Sequence, residues 1–314
     1  MNCRICDCPD ASRTVVTREM MFGTRDEFTY FECARCGCVQ IREVPDLTKY
    51  YPSDYYSFQN DGGLKRWLKS HWAAYSFDGS SPLIGRMMTF GLGKQPGVES
   101  VRRAGVSRDT SILDVGCGSG DLLQLLRAVG FKKLAGADPF LERDVLHPNG
   151  IPIWKKELEQ VEGQYGLIML HHAFEHMLDP AQFVVQAAQR LNDGGQLLIR
   201  VPVAGTMAWR TYGANWAQLD PPRHIFVPTV RSMELLAGRC GLRLREVVFD
   251  STEFQFWASE QYGRDVPMRS PDSMLSLKKR ALAVGTMRRQ RRQAEELNAR
   301  NDGDQACFYF QKPG

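Results

Sequence analysis

The segment Asp114-Val-Gly-Cys-Gly-Ser-Gly120 restricts the fold of this chain more than any other. A short apolar run, Ser111-Ile-Leu-Asp-Val115, leads into it, and an apolar-periodic stretch at residues 122–129, closed by Gly130, leaves it. A strand that passes into a helix through three glycines in five residues implies positive φ and close backbone approach. The helix start then offers N–H groups with no partner inside the helix, a natural seat for a polar ligand. Asp138 follows 24 residues after Asp114, at the end of a second strand, Lys133-Leu-Ala-Gly-Ala137. A carboxylate there is spaced to meet ribose hydroxyls. The loop reads G-x-G-x-G and so departs from the G-x-G-x-x-G of pyrophosphate binders.

The downstream pattern alternates strand and helix. Residues 167–170 form a buried strand, and Asp179-Pro180 opens a helix with a cap and a first-turn proline. Apolar positions 183, 184, 187, 188 and 191 share one face of that helix, and Gly194-Gly195 ends it. Residues 196–201 form the next strand. Thr229 caps a helix that Gly241 closes, and residues 246–249 and 306–310 supply late strands. The expected fold is α/β: a doubly wound, mostly parallel sheet covered on both faces, with a small N-terminal module.

Six of the nine cysteines lie in the first 38 residues. Cys3-x-x-Cys6 and Cys33-x-x-Cys36-Gly37 flank a predicted hairpin. Two such knuckles place four thiolates around one Zn2+ in a closed, structural site. Cys8 and Cys38 are alternative ligands. A module of this size has too small a core to stand without a staple. The expected organisation is a zinc ribbon at 1–45, a helical and aromatic linker at 46–105, a nucleotide-binding domain at 106–255 and a basic helical tail with a final strand at 256–314.

No apolar stretch approaches the roughly 18–20 residues of a membrane span, and Met1-Asn-Cys-Arg-Ile-Cys6 has no apolar signal core. A cytoplasmic protein is expected. The 40 basic and 36 acidic residues leave a net charge of +4, so a nucleic-acid partner is not expected. The basic run at 278–292 reads as a solvated helix face, with Glu295 and Glu296 close by.

The segment Ile112-Leu-Asp-Val-Gly-Cys-Gly-Ser-Gly120 resembles the cofactor signature of class I S-adenosylmethionine-dependent methyltransferases, a resemblance that implies a seven-stranded, Rossmann-like sheet. The resemblance implies that Asp114, Gly116, Cys117, Gly118 and Gly120 lie against the amino-acid part of S-adenosylmethionine and that Asp138 binds its ribose. Lys156-Glu-Leu-Glu159 is similar to the adenine-side segment, which puts Glu157 and Leu158 near the base. Tyr165-Gly-Leu-Ile-Met-Leu-His-His-Ala-Phe-Glu-His176 is similar to the strand and loop at the methionine end, with Gly166 in place of the usual aspartate. By that likeness His171 and His172 are cofactor-adjacent rather than metal ligands. The cysteine ribbon, then Tyr-Tyr-Pro-x-x-Tyr-Tyr at 50–56, then this domain together resemble methyltransferases of sugar and surface-polysaccharide modification.

Methyl transfer to a hydroxyl requires alignment and removal of a proton. Asp220-Pro-Pro-Arg-His224 is the expected catalytic segment: His224 as base or orienter, Arg223 for an anionic group such as a diphosphate, and Asp220 beside them. Trp209, Tyr212 and Trp216 are candidates to stack on a sugar. The expected partner is a small, sugar-linked acceptor, methylated on oxygen or carbon. Two other readings stand beside it. One is an RNA methyltransferase gripping its substrate with the ribbon and basic helix. The other is a non-catalytic scaffold on the cofactor fold. The oligomeric state is left open.

Overall fold

The computed structural model describes residues 2–51 and 63–314; Tyr55 and Tyr56 of the aromatic motif lie outside them. In chain order the elements are β1 (Ala11–Arg18), β2 (Glu27–Cys33), β3 (Val39–Ile41), α1 (Gly63–Asp78), α2 (Ile84–Leu92), α3 (Pro96–Ala104), β4 (Ser111–Val115) and α4 (Asp121–Ala128). Next come β5 (Lys133–Ala137), β6 (Val145–Leu146), β7 (Pro152–Trp154), β8 (Tyr165–His171), α5 (Pro180–Arg190), β9 (Leu191–Pro202), α6 (Met207–Tyr212) and β10 (Phe226–Val227). The chain ends with α7 (Val230–Arg239), β11 (Arg243–Phe249), α8 (Phe254–Gly263), α9 (Leu277–Leu282), α10 (Val284–Ala299) and β12 (Gln305–Gln311).

The main sheet has the order β11-β12-β9-β8-β4-β5-β7-β6. Neighbours from β9 to β7 are parallel, while β12 runs antiparallel between β9 and β11. It therefore has eight strands rather than the expected seven, because the two-residue β6 folds back on β7 as an edge hairpin. Residues alternate strictly between the two faces. Leu113, Ile168, Leu170, Leu197 and Ile199 join the core under α5 and α7, while Ile112, Leu167, Met169 and Leu198 join the core under α3 and α4. All nine are fully buried. That two-sided burial makes the strand sequences continuous apolar runs, as parallel sheets demand. At roughly 1.5–3 kcal/mol for each large side chain, burial of these nine is a large favourable contribution to the fold.

The caps form at Asp179, which accepts from Gln182 N–H, and at Thr229, which accepts from Ser232 N–H. Strand β9 begins at Leu191, so α5 stops before Gly194-Gly195 and those glycines lie inside the strand. Within residues 46–105, α3 is core structure: Val98 and Val101 are fully buried beside Leu123 and Leu126 of α4.

The second sheet has the order β1-β2-β3-β10. Its fourth strand, Phe226–Val227, comes from the segment that follows His224 and pairs with Val39 and Gln40. The N-terminal module is thus built into the larger domain. Tyr30 donates from its hydroxyl to His224 O (2.7 Å), Trp209 Nε1 to Glu32 (3.1 Å) and Thr229 Oγ1 to Cys36 O (2.6 Å).

Candidate active site

The glycine turn after β4 closes on two neighbours. Gly116 has φ +71°, and a Cβ there would fall 2.4 Å from Ala173 Cβ in the turn after β8. Gly120 has φ +80° and would meet Ile153 at 2.8 Å. Only glycine satisfies both the dihedral and the space. The loops after β4 and β8, which the chain leaves in opposite directions across the sheet, therefore touch at the carboxyl ends of the strands. Ligands bind there in open α/β sheets.

Asp138 sits across from this loop at the end of β5. Its Oδ2 accepts from Gly118 N–H (2.9 Å) and its Oδ1 from Phe140 N–H (3.0 Å). Each oxygen keeps a second lone pair for a ligand hydroxyl. Asp114, buried below, has its carboxyl pushed well above the ordinary range by desolvation and by the charge of Asp138. The Cys117 thiol packs inward against Gly136, so only its backbone is offered to the loop. Glu157 is exposed, and its carboxyl is raised by burial and by the charges of Glu159 and Asp138. Leu158 is core, packed with Val161 and Val184.

The turn after β8 carries a denser cluster. His172 adopts φ +54°, a left-handed conformation rare outside glycine and asparagine. Its Nε2 accepts from Arg200 Nη1 (2.7 Å), and Arg200 in turn pairs with Asp250 (2.6 Å). That fixes the proton of His172 on Nδ1, which lies 3.4 Å from Glu175 Oε1. His171 stays neutral, its pKa driven down by burial and by Arg200 and His172. Glu175 is completely buried, and among the described residues neither of its oxygens has a hydrogen-bond partner. Burial would raise its carboxyl, but the surrounding imidazoles of His172, His224 and His176 hold it down at about 2. The His172 contact has ion-pair distance without hydrogen-bond geometry, so Glu175 is a charge in a field of imidazoles rather than a bonded acceptor.

His224 is 8% exposed. Its Nδ1 lies 2.8 Å from Gln218 O, so Nδ1 carries the proton and Nε2 the lone pair. Nε2 faces Glu175 Oε1 (3.8 Å) and Asp220 Oδ2 (3.9 Å). Burial dominates and lowers its pKa to about 4 despite the nearby carboxylates.

Arg223 has a different position from the one its residue type suggests. It is fully buried; Nε and Nη2 engage both oxygens of Asp220 (2.9 and 2.6 Å), and Nη2 reaches Glu19 (3.1 Å). A substrate anion would have to displace one of these carboxylates. Arg223, Asp220 and Glu19 form an ionic joint between the turn after β1 and the segment that leads into β10. Trp209 and Trp216 are likewise core residues, 3% and 1% exposed, with their indole N–H groups on Glu32 and Asp304. Neither ring presents a face to a sugar.

Cys3, Cys6, Cys33 and Cys36 converge, their sulfurs all within 4.8 Å of one another. Cys3 Sγ lies 3.6 Å from Cys36 Sγ, and Cys6 Sγ 3.5 Å from Cys33 Sγ. A tetrahedral zinc with Zn–S near 2.3 Å has S···S edges of about 3.8 Å, so this donor set fits zinc. Cys8 and Cys38 stand outside the quartet.

A family model described as a methyltransferase domain matches residues 90–247, half of the chain. The chain belongs to this family. Its methyltransferase domain is of the class I, S-adenosylmethionine-dependent kind, and the match begins at Phe90, so it includes α3. Two ubiquinone biosynthesis O-methyltransferases are similar in sequence. That of Sodalis glossinidius is 27% identical over 160 residues, covering 46% of this chain and 64% of the relative. That of Serratia proteamaculans is 29% identical over 161 residues, covering 46% and 66%. The likeness thus spans less than two thirds of either relative. In shape the chain is similar to the O-methyltransferase of a Brevibacillus brevis polyketide synthase in complex with S-adenosyl-L-homocysteine (TM-score 0.43, 16% identity, 77% of this chain and 79% of that one). It is also similar to a Mycobacterium tuberculosis cyclopropane synthase (TM-score 0.44, 16% identity, 81% and 100%). Among the described residues, no helix of this methyltransferase is long and apolar enough to cross a membrane.

Sequence reasoning missed Glu175, Glu19 and Tyr30. Glu175 stood in the quoted string, but its significance depends on His224, which reaches it only through the fold.

Proposed function

We propose that this methyltransferase transfers the methyl group of S-adenosylmethionine to a hydroxyl of a small, sugar-linked acceptor. The observation that carries the cofactor reading is the clamp between Gly118 N–H and Asp138 at the end of β5. It holds a carboxylate beside the glycine turn before any ligand arrives, so the ribose hydroxyls meet an acceptor that needs no reorganisation. Gly116 and Gly120 let the backbone approach the amino-acid end of the cofactor. His171 and His172 line the β8 side, and Glu157 lies toward the base.

The acceptor proton leaves toward the cluster of Glu175, His176 and His224, a group of acceptors that adjoins the glycine turn through Ala173. His224 is neutral at physiological pH and keeps Nε2 open, which is the state a base requires. Asp220 and Arg223 position this segment from below. The cysteine quartet holds a structural Zn2+ that fixes β1 to β3 and, through Tyr30 and β10, the His224 segment. Oxygen as the methylated atom is favoured by the relatives named O-methyltransferases; the sugar rests on the combination of ribbon and methyltransferase domain.

Labelled S-adenosylmethionine incubated with two acceptor panels tests this reading. One panel holds nucleotide sugars, the other polyprenylated phenols. Label on a sugar hydroxyl is the expected result. Label on phenols alone would overturn the sugar assignment and leave methyl transfer standing. Label on neither, from protein that also fails to bind the cofactor, would overturn the whole reading.

A further inference from the structure

We propose that Glu175, His176 and His224 bind one divalent transition-metal ion. Ligand atoms of these three residues lie within 4.8 Å of one another. They come from two segments 48 residues apart in sequence that meet beside the glycine turn. The proposal deepens the role given above to this cluster, but binding of the metal is tested independently of methyl transfer.

Three features point to a cation. Glu175 is completely buried and, with His172 Nδ1 no nearer than 3.4 Å, neither oxygen has a hydrogen-bond partner among the described residues, an arrangement proteins avoid unless a positive charge completes it. His224 donates from Nδ1 to Gln218 O (2.8 Å), which turns its Nε2 lone pair toward Glu175. The separation of 3.8 Å exceeds a direct hydrogen bond and lies a few tenths of an ångström above the roughly 3–3.5 Å between two ligands of one ion with bonds near 2.0–2.2 Å, so a modest approach of the two side chains would complete the site. His176 Nδ1 is likewise committed to a backbone carbonyl, Arg223 O (2.8 Å), with Tyr51 Oη at 3.2 Å. An imidazole whose Nδ1–H is anchored on a carbonyl has the second-shell support typical of metal-ligating histidine.

Two histidines and one carboxylate suit Zn2+, Mn2+, Fe2+ or Co2+ and leave coordination positions open. A hydroxyl bound at such a position loses its proton more readily. With the ion bound, His224 would serve as a ligand in place of the base role given above, and the ion would supply the acidification of the acceptor hydroxyl.

The test is zinc content of the full-length protein after equilibration with Zn2+ and dialysis, with X-ray absorption at the zinc edge. Wild type is expected to hold one zinc more than Glu175→Gln and to show nitrogen and oxygen neighbours in its first shell. A mixed shell of sulfur with nitrogen or oxygen in wild type, and a shell of sulfur alone in Glu175→Gln, separates this site from the cysteine quartet. His176→Gln, at a half-buried ring, repeats the comparison should Glu175→Gln fail to fold. Equal zinc in wild type and folded variants, or a wild-type shell of sulfur alone, would overturn the proposal. Methyl transfer that persists in metal-free protein would remove the ion's catalytic role, whereas a bound ion without cofactor binding would refute the methyltransferase reading and leave the site.

Discussion

Two buried carboxylates near the carboxyl ends of the sheet, Asp138 and Glu175, are held in opposite ways. Asp138 receives backbone N–H groups on both oxygens and lies in a loop shaped by glycine. Glu175 receives none and lies among three imidazoles. The first is pre-organised for neutral hydroxyls, whose binding adds hydrogen bonds without disturbing those present. The second is a charge awaiting a cation. On the proposed reading, one end of the site serves recognition and the other reactivity, with the N-terminal module bracing the reactive end.

The largest effect expected from this difference concerns the bracing. If the quartet holds zinc as proposed, a strong chelator should melt residues 2–41 and loosen the His224 segment while leaving the parallel sheet folded, since structural zinc contributes on the order of 10 kcal/mol. Circular dichroism with limited proteolysis checks it; N-terminal cleavage without loss of the sheet is the expected pattern.

Arg223→Met comes next. It leaves Asp220 and Glu19 buried without their partner and should cost about 3–5 kcal/mol, read as a fall in denaturation midpoint. Unchanged stability with a raised KM would return Arg223 to substrate binding.

At the recognition end, Gly116→Val forces a side chain into a left-handed residue against Ala173. A penalty of about 1–3 kcal/mol is expected, with cofactor affinity falling further than stability.

The smallest effect is Asp114→Asn. The carboxyl is raised by burial and by Asp138, so its ionisation in the folded state is unfavourable and stability falls as pH rises through that elevated pKa. Removing the charge should stabilise the unliganded protein at pH 8 and weaken cofactor binding. Thermal melts with and without S-adenosylmethionine check both signs.

The recognition end was legible in the sequence because its demands are local. Positive φ at Gly116 and Gly120, an acid one strand further on and caps at Asp179 and Thr229 each follow from residues near one another. The reactive end was legible only in part: His224 could be read from its segment, Glu175 could not. Glu175 meets His224 only after α5, β9 and the turn to residue 224 bring them together, and β10 joins β3 across nearly two hundred residues. Arg223 and the two tryptophans misled for a related reason: residue type suggests a ligand contact, but burial and neighbours decide it, and those neighbours, Glu19, Glu32 and Asp304, are distant in sequence.

Calorimetric titration of S-adenosylmethionine into wild type and Asp138→Ala tests the central claim most directly. The account predicts micromolar binding to wild type, weakened by about 1.5–3 kcal/mol in the variant, the range for a hydrogen bond to a charged group. Equal affinity in the two folded proteins, or no binding to wild type, would contradict it.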